Sequence, residues 1–233
     1  MMQGLYRLRF EYAKDERLAY LGHLEVINTM LRCIRRAQLP FSVGNGFARR
    51  VRIQFSQALP VGASSSSEYF DLVLTERMGE QDALSALAAS TPPALAPRRC
   101  GYVDGSLPAL EAWLTRSRWK LEVLGSNNAE ALLEGAMELK KQGQLVYLRG
   151  DKEKRVDLTS TLVSLDAKAS PDSESILATM ETRSSPEGSL RPLVLISAIA
   201  TAHPDELSGI DSVRVRRVGQ WHETEDGRLV EPL

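Results

Sequence analysis

The sequence contains few of the residues that usually reveal a protein's chemistry. Only two cysteines occur among its 233 residues, and they lie far apart at Cys33 and Cys100. Neither a disulfide framework nor a multi-cysteine metal cluster is expected from them. No run of about 18 apolar residues occurs, and the N-terminal segment lacks the apolar stretch of a secretory signal. We therefore expect a cytoplasmic protein with reduced thiols and no membrane association.

Cofactor-binding signatures are also absent from the sequence. There is no Cys-x-x-x-Cys-x-x-Cys motif for the iron–sulfur cluster of a radical S-adenosylmethionine (SAM) enzyme, and no Cys/His array with zinc spacing. No P-loop is present, and the glycines of residues 43–47 precede a predicted strand rather than a helix, unlike a Rossmann fingerprint. The sequence therefore predicts no bound metal and no cofactor.

Positive charge is concentrated in the first quarter of the chain. The formal net charge is only −1, from 29 Lys and Arg against 30 Asp and Glu. Residues 1–60 contain ten cationic and four acidic side chains, a local balance of +6, so the remaining residues carry −7. Such asymmetry indicates a local surface for a polyanion rather than a generally basic protein.

The first half of the sequence predicts the element order βαββαβ. Strands are indicated by alternation of apolar and polar residues, and helices by apolar residues that recur every three or four positions. A serine-rich turn at residues 64–67 is expected before the third strand. The six elements are predicted, in order, at residues 5–12, 22–37, 51–58, 68–75, 79–90 and 96–103.

The first predicted helix is amphipathic, with basic residues on its polar face. At about 100° per residue, its apolar side chains fall on one side, which we expect to pack against a sheet. Arg32 and Arg36 lie one turn apart on the other side and are expected to be exposed. The side chains expected to be buried are Leu24, Ile27, Leu31 and Ile34.

The second half repeats this order of elements without repeating its sequence. A strand at residues 116–125, a helix that begins near Asn128 and a later helix that begins at Pro192 fit the same scheme. We predict an α+β protein with two tandem ferredoxin-like βαββαβ units and antiparallel sheets. The predicted domains are residues 1–105, with the basic loop, and residues 106–233.

Six residues of the first half form the candidate nucleic-acid site. The guanidinium group of arginine is always charged and offers a planar fork of donors that matches phosphate, while bases can stack on aromatic rings. A solvated basic face, paired with carboxylates such as Glu25, is the competing interpretation. The candidate residues are Arg32, Arg36, Phe47, Arg49, Arg50 and Arg52.

His23 is the candidate catalytic residue, since it stands at the predicted start of the first helix. A histidine there could act as a general acid or base in RNA cleavage. A structural role for His23, as a helix-terminal or half-buried side chain, is the alternative. Glu68 and Asp71 could form a catalytic carboxylate pair, but we interpret them as charges at a sheet edge.

Residues 5–75 resemble a known family, the radical SAM-linked proteins. Members of that family have a Ser-His-Leu-Asp signature, paired arginines before Leu-Pro, a Ser-x-Gly-Phe loop, a Leu-Pro-Val-Gly turn and Ser-x-x-Glu before a strand. This chain departs from the pattern at Gly22 and Glu25, and it has Ala48-Arg49-Arg50-Val51 in place of Asn-Pro-His-Pro. The matching positions are His23, Leu24, Arg35, Arg36, Leu39, Pro40, Ser42, Gly46, Phe47, Leu59, Pro60, Val61, Gly62 and Glu68.

The resemblance implies a radical SAM protein as partner. It leaves three functions for this chain, which we keep as alternatives. The first is an accessory RNA- or nucleotide-binding protein that works with a radical SAM enzyme. The second is a metal-independent endoribonuclease that uses His23. The third is a protein-interaction module without nucleic acid, whose arginines pair with carboxylates of a partner.

Overall fold

A computed structural model describes residues 4–185, 188–207 and 209–233. The chain divides into two compact units. Unit 1 consists of Met1–Leu114 with Val230–Leu233, and unit 2 consists of Thr115–Leu229. Both units combine helices with antiparallel strands, so the protein belongs to the α+β class as predicted. Among the described residues, none of the helices is both long enough and apolar enough to span a membrane.

Unit 1 has four strands, which lie in the order β2 (Ile53–Phe55), β3 (Ala63–Leu74), β1 (Tyr6–Lys14) and β4 (Pro97–Val103), and all neighbours are antiparallel. Short 3-10 turns at Glu16–Leu18 and Pro93–Leu95 flank the regular elements. The observed order βαββαβ is the predicted one, followed by one additional short helix. The elements are β1 (Tyr6–Lys14), α1 (His23–Arg36), β2 (Ile53–Phe55), β3 (Ala63–Leu74), α2 (Glu80–Ser90), β4 (Pro97–Val103) and α3 (Leu110–Trp113).

The buried face of α1 differs from the expected one. Ile34 is buried and Arg32 and Arg36 are exposed as predicted, but Leu24 is 72% exposed and Ile27 and Leu31 are half-buried. The apolar residues of α1 cover a wide arc, so their spacing does not specify which edge of the arc meets the sheet. The side chains that face the core are Val26, Met30, Cys33 and Ile34.

The serine-rich segment is part of a strand, so the turn predicted at residues 64–67 is wrong. Strand β3 begins at Ala63 and continues to Leu74. Serine hydroxyls can compete with the backbone for hydrogen bonds, and here two of them are bonded within the strand. The Ser65 hydroxyl accepts a hydrogen bond from the Ser67 amide at 3.0 Å, and the Ser67 hydroxyl donates to the Tyr69 hydroxyl at 3.1 Å.

Unit 2 contains four main strands, which lie in the order β8 (Leu162–Ala169), β9 (Ser175–Ser185), β5 (Arg116–Leu124) and β11 (Ser212–Glu223), again antiparallel. A separate hairpin of β6 (Gln144–Arg149) and β7 (Lys152–Asp157) turns at residues 150–151, where Gly150 has φ +61°. The elements are β5 (Arg116–Leu124), α4 (Ala129–Gln142), β6 (Gln144–Arg149), β7 (Lys152–Asp157), α5 (Leu158–Thr161), β8 (Leu162–Ala169), β9 (Ser175–Ser185), β10 (Gly188–Ser189), α6 (Pro192–Ala202), α7 (Pro204–Leu207), β11 (Ser212–Glu223) and β12 (Leu229–Val230).

Candidate functional site

The basic loop of the sequence is a protruding hairpin between α1 and β2. We call residues 42–52 the basic hairpin. Its two arms are joined by hydrogen bonds from the Arg52 amide to the Ser42 carbonyl at 2.9 Å and from the Gly44 amide to the Arg50 carbonyl at 2.8 Å. Both ends are fixed to Val73 of β3, at 2.7 Å for the Ser42 amide and 3.0 Å for the Arg52 carbonyl. The hairpin therefore projects from a sheet that holds its base.

The tip of the basic hairpin presents an aromatic ring and two cations. Phe47, Arg49 and Arg50 are all exposed there, and the Phe47 side chain is fully accessible to solvent. The Arg49 amide donates to the Gly46 carbonyl at 2.9 Å, which closes a tight turn, and Arg49 has φ +39°. A positive φ is uncommon for a residue with a side chain. The turn thus places the ring and both guanidinium groups within four residues.

Most arginines of the candidate site lack a counterion within the protein. In the part of the chain that the structure describes, the side chains of Arg32, Arg49, Arg50 and Arg52 make no ion pair and no hydrogen bond. Arg36 makes only a long bond of 3.4 Å to the Ser90 carbonyl. By contrast, each arginine of β5 is paired with at least one glutamate. The positive charge of the candidate residues is therefore uncompensated, which favours binding of an anion.

The structure places the six candidate residues on two elements. Phe47, Arg49 and Arg50 lie at the tip of the basic hairpin, and half-buried Arg52 lies at its base. Arg32 and Arg36 lie one turn apart on the exposed face of α1. Within the described residues, Glu25 makes no ion pair with these arginines; its carboxylate accepts a hydrogen bond from the Gly22 amide at 2.7 Å.

Two other N-terminal arginines belong to a buried cluster instead of the basic surface. Arg7 and Arg9 of β1 both bind Asp71 of β3, through Nε–carboxylate contacts of 2.7 Å. Arg9 also donates to the Pro232 carbonyl at 3.0 Å and lies 4.7 Å from the centre of the Trp113 ring. Part of the positive excess counted in residues 1–60 is therefore neutralised inside unit 1.

The interpretation of Glu68 and Asp71 as edge charges is wrong. Both carboxylates are buried, and β3 has a strand on each side within unit 1. Asp71 is opposite Arg9 of β1 and Gln54 of β2 in the strand register. Glu68 accepts a hydrogen bond from the Ser56 hydroxyl at 3.3 Å. They do not form a catalytic pair, since Asp71 is held by two arginines.

His23 lies at the first residue of α1, beside a small recess with room for about one water molecule. The ring is half-buried and meets the Phe55 ring edge-on, with centroids 5.9 Å apart. None of the candidate arginines lines this recess. The lining side chains are Tyr12, Lys14, Leu21, His23, Val26, Leu59 and Glu68.

Sequence reasoning missed Lys14 as a component of the recess. Lys14 is buried, and its ammonium group donates to the carbonyls of Ala19 and Leu21 at 2.9 and 2.8 Å. The alternation of β1 contained a signal, because Lys14 is in phase with the buried residues Leu8 and Phe10. The recess thus combines the imidazole of His23, the ammonium group of Lys14 and the carboxylate of Glu68. Each of these groups can donate or accept a proton in general acid–base catalysis.

No metal centre is evident in the described residues. Nowhere in residues 4–185, 188–207 and 209–233 do three or more His, Cys, Asp or Glu side chains form a group that could hold a metal ion. Cys33 is buried and Cys100 half-buried, and both are free thiols. Burial, with the nearby charge of Glu80, raises the pKa of the Cys100 thiol to about 11, so it is protonated at neutral pH.

Comparisons with known proteins include a family match and a likeness to a solved structure. A family model described as an uncharacterized protein conserved in bacteria (DUF2344) matches residues 7–192. No curated protein matches the sequence. The crystal structure of a Cbf5-Nop10-Gar1 complex is similar with a TM-score of 0.46 and 9% identity, over 94% of this chain and 50% of that chain. The chain thus spans about half the length of the chain that it matches in that complex.

Proposed function

The chain belongs to the DUF2344 family of bacterial proteins, and we propose that it is an accessory RNA- or nucleotide-binding protein that works with a radical SAM enzyme. The observation that carries the proposal is the set of unpaired arginines on the basic hairpin. A cation that has no counterion in the protein is available for a phosphate, and each such contact releases counterions from the nucleic acid. The radical SAM partner and a cytoplasmic location rest on the sequence alone.

The proposal also covers the finer fold assignment, two tandem ferredoxin-like units. Its support is the order βαββαβ of unit 1 with the strand order β2-β3-β1-β4, and the matching order β8-β9-β5-β11 of unit 2. Four-stranded antiparallel sheets with helices on one face are a recurrent platform for RNA. On such a platform the basic hairpin would act as an extension that reaches the phosphate backbone.

The test is the salt dependence of binding to a short fluorescein-labelled RNA. Replacing Arg49, Arg50 and Arg52 together with Ala should weaken binding across many RNA sequences. It should also flatten the slope of log affinity against log salt by roughly two to three units, about one for each lost phosphate contact. A charge-matched control replaces three exposed arginines that already have carboxylate partners, and it should leave the slope almost unchanged. The control residues are Arg17, Arg155 and Arg214.

Two results would contradict RNA binding. One is an intact protein that fails to bind RNA even at low salt. The other is a triple variant of the basic hairpin whose affinity and slope equal those of the charge-matched control. The protein-interaction module would then be the leading function. Its own test is whether the triple variant loses a co-purified radical SAM protein.

A metal-independent endoribonuclease is the second candidate function. The observation that favours it is the recess where His23, Lys14 and Glu68 lie together. The test is cleavage of single-stranded RNA in the presence of EDTA, with His23→Gln as the variant. Loss of cleavage with an unchanged melting temperature would support catalysis by His23. An intact protein that leaves RNA uncut, or a variant that only melts earlier, would leave His23 with a structural role.

A further inference from the structure

We propose that the tip of the basic hairpin selects unpaired nucleotides, with Phe47 as the residue on which a base stacks. This inference rests on the proposed function, because it assumes that the arginines beside Phe47 contact phosphates. It adds the substrate class, single-stranded nucleic acid in preference to a duplex. The unpaired arginines alone would attract either form, since both carry negatively charged phosphates.

The first argument is that the fold does not use Phe47. The chain has five phenylalanines, and the other four pack in the core of unit 1. Phe47 alone is fully exposed, with a relative accessibility of 109%. Among the described residues it makes no ring contact and no cation–π contact. The ring gains no burial from the fold, so its whole apolar surface is available for a contact with another molecule.

The second argument is the arrangement of the ring and the charges. The turn closed by the Arg49 amide and the Gly46 carbonyl carries Phe47 next to Arg49 and Arg50. A nucleotide offers a flat base and a charged phosphate only a few bonds apart. One short turn with an aromatic ring and two guanidinium groups matches that pair of chemical features. An acidic peptide would match the arginines, but it would give the ring no flat partner.

The third argument concerns the state of the base. In a duplex each base is already stacked on its neighbours, and the deep major groove of A-form RNA excludes side chains. Phenylalanine has no donor or acceptor, so it cannot read the edge of a paired base. It can only stack on a base that is free on one face. Stacking is also tolerant of sequence, because every base has such a face.

The experiment compares the intact protein with Phe47→Ala and Phe47→Trp on one RNA, used as a single strand and as its blunt duplex. Phe47→Ala should weaken single-strand binding roughly 5- to 150-fold and leave duplex binding unchanged. Phe47→Trp should restore single-strand affinity, and its indole fluorescence should be quenched when a base stacks. The same strand made as DNA shows whether the site also requires the 2′-hydroxyl. Unchanged melting temperatures are expected, since the ring supports no contact within the fold.

Three results would overturn the inference. Equal losses on single strand and duplex would make the ring a general contact. No loss on either would make it irrelevant to RNA. A loss confined to binding of a protein partner would assign the tip to protein docking. Each of these leaves the proposed function testable by itself, because that function fails on other results: no RNA binding by the intact protein at low salt, or an Arg49, Arg50 and Arg52 variant that matches its charge-matched control.

Discussion

At the residue scale, the charge of an arginine does not reveal whether the residue faces water. Arg9 is fully buried in β1, yet all the contacts of its guanidinium group are favourable. It donates hydrogen bonds to both Asp71 carboxylate oxygens and to the Pro232 carbonyl, and it makes a cation–π contact with the Trp113 ring. Burial of an ion is tolerated only when its charge and donors are satisfied in this way. The exposed Arg49 makes no such contact with any residue that the structure describes, and this difference separates binding candidates from structural residues.

The buried cluster predicts a large effect of an isosteric substitution. Asp71→Asn keeps the volume but removes the charge that Arg7 and Arg9 share. Removal of one partner from a buried ion pair leaves uncompensated charge, so the free energy of unfolding should fall by about 3–5 kcal/mol. Urea denaturation measures this decrease in the free energy of unfolding. Glu153→Gln is the control, because its pair with Arg155 is exposed and should contribute less than about 1 kcal/mol.

A small effect of Asp71→Asn, equal to that of the control, would contradict this reading of the cluster. The two arginines would then have to be hydrated in solution. In that case the guanidinium groups of Arg7 and Arg9 would be part of the solvent-accessible positive charge of residues 1–60.

At the element scale, the periodicity of α1 predicts the helix well and its orientation less well. The predicted bounds 22–37 match the observed His23–Arg36 closely. Yet Leu24 faces water, while Met30 and Cys33 face the core. When the apolar arc of a helix is wide, more than one face can be buried against a sheet. Tertiary packing then determines which face is buried. Orientation is thus a property of the helix and its neighbours together.

The orientation of α1 can be tested by a pair of substitutions on that helix. Met30→Ala should lower the free energy of unfolding by about 2–5 kcal/mol, because it opens a cavity at a fully buried position. Leu24→Ala should change it by less than about 0.5 kcal/mol, since the exposed side chain loses no burial. Both variants keep good helix formers, so propensity contributes little to the difference. Comparable losses in the two variants would show that α1 packs on the edge expected from the sequence.

Three strands of unit 2 are linked by an ion-pair network that should depend on pH. Arg116 of β5 bridges Glu181 of β9 and Glu223 of β11, at 2.8 and 2.9 Å. Burial opposes ionisation of Glu181, but hydrogen bonds and charge from Arg116 and Arg118 outweigh it and lower its pKa. The hydrogen bond from Arg183 lowers the pKa of Glu223. Both carboxylates are therefore held in the ionised form.

The sign of the pH effect follows from these lowered pKa values. The contribution to stability is complete above the unfolded pKa of glutamate, about 4.3, and is lost as the pH falls through the folded values. The intact protein should therefore lose stability below about pH 4.3. Glu181→Gln should be less stable at neutral pH and should show a flatter decline in acid. The measurement is the melting temperature of both proteins as a function of pH. Parallel declines would show that Glu181 does not contribute to the loss of stability in acid.

At the scale of the whole molecule, local patterns predict elements but not their long-range partners. Alternation in residues 5–12 and 116–125 locates β1 and β5, and the α+β class follows from the order of elements. Nothing local indicates that Arg9 meets Pro232, which is 223 positions away. The buried state of Glu68 likewise depends on which strands adjoin β3. Phe47 and Arg49 are exposed on a glycine-containing loop, and the exposure of such a loop depends little on distant neighbours.

Limited proteolysis would compare the candidate site with the rest of the chain in one measurement. Trypsin needs a locally extended substrate, so arginines in paired strands such as Arg7 and Arg116 should resist cleavage. Early cuts are expected after Arg49 or Arg50 in the basic hairpin, and near Lys152 at the exposed turn between β6 and β7. Mass spectrometry of the first fragments identifies both.

RNA should then protect only one of the two hairpins. If the basic hairpin binds phosphates, RNA should slow the cuts after Arg49 and Arg50 and leave the cut near Lys152 unchanged. The Lys152 cut is an internal control, because it reports any general inhibition of trypsin by RNA. Protection at both sites would mean that RNA acts on the protease or coats the protein without selection. Faster cutting at the basic hairpin would mean that RNA binds elsewhere and loosens it.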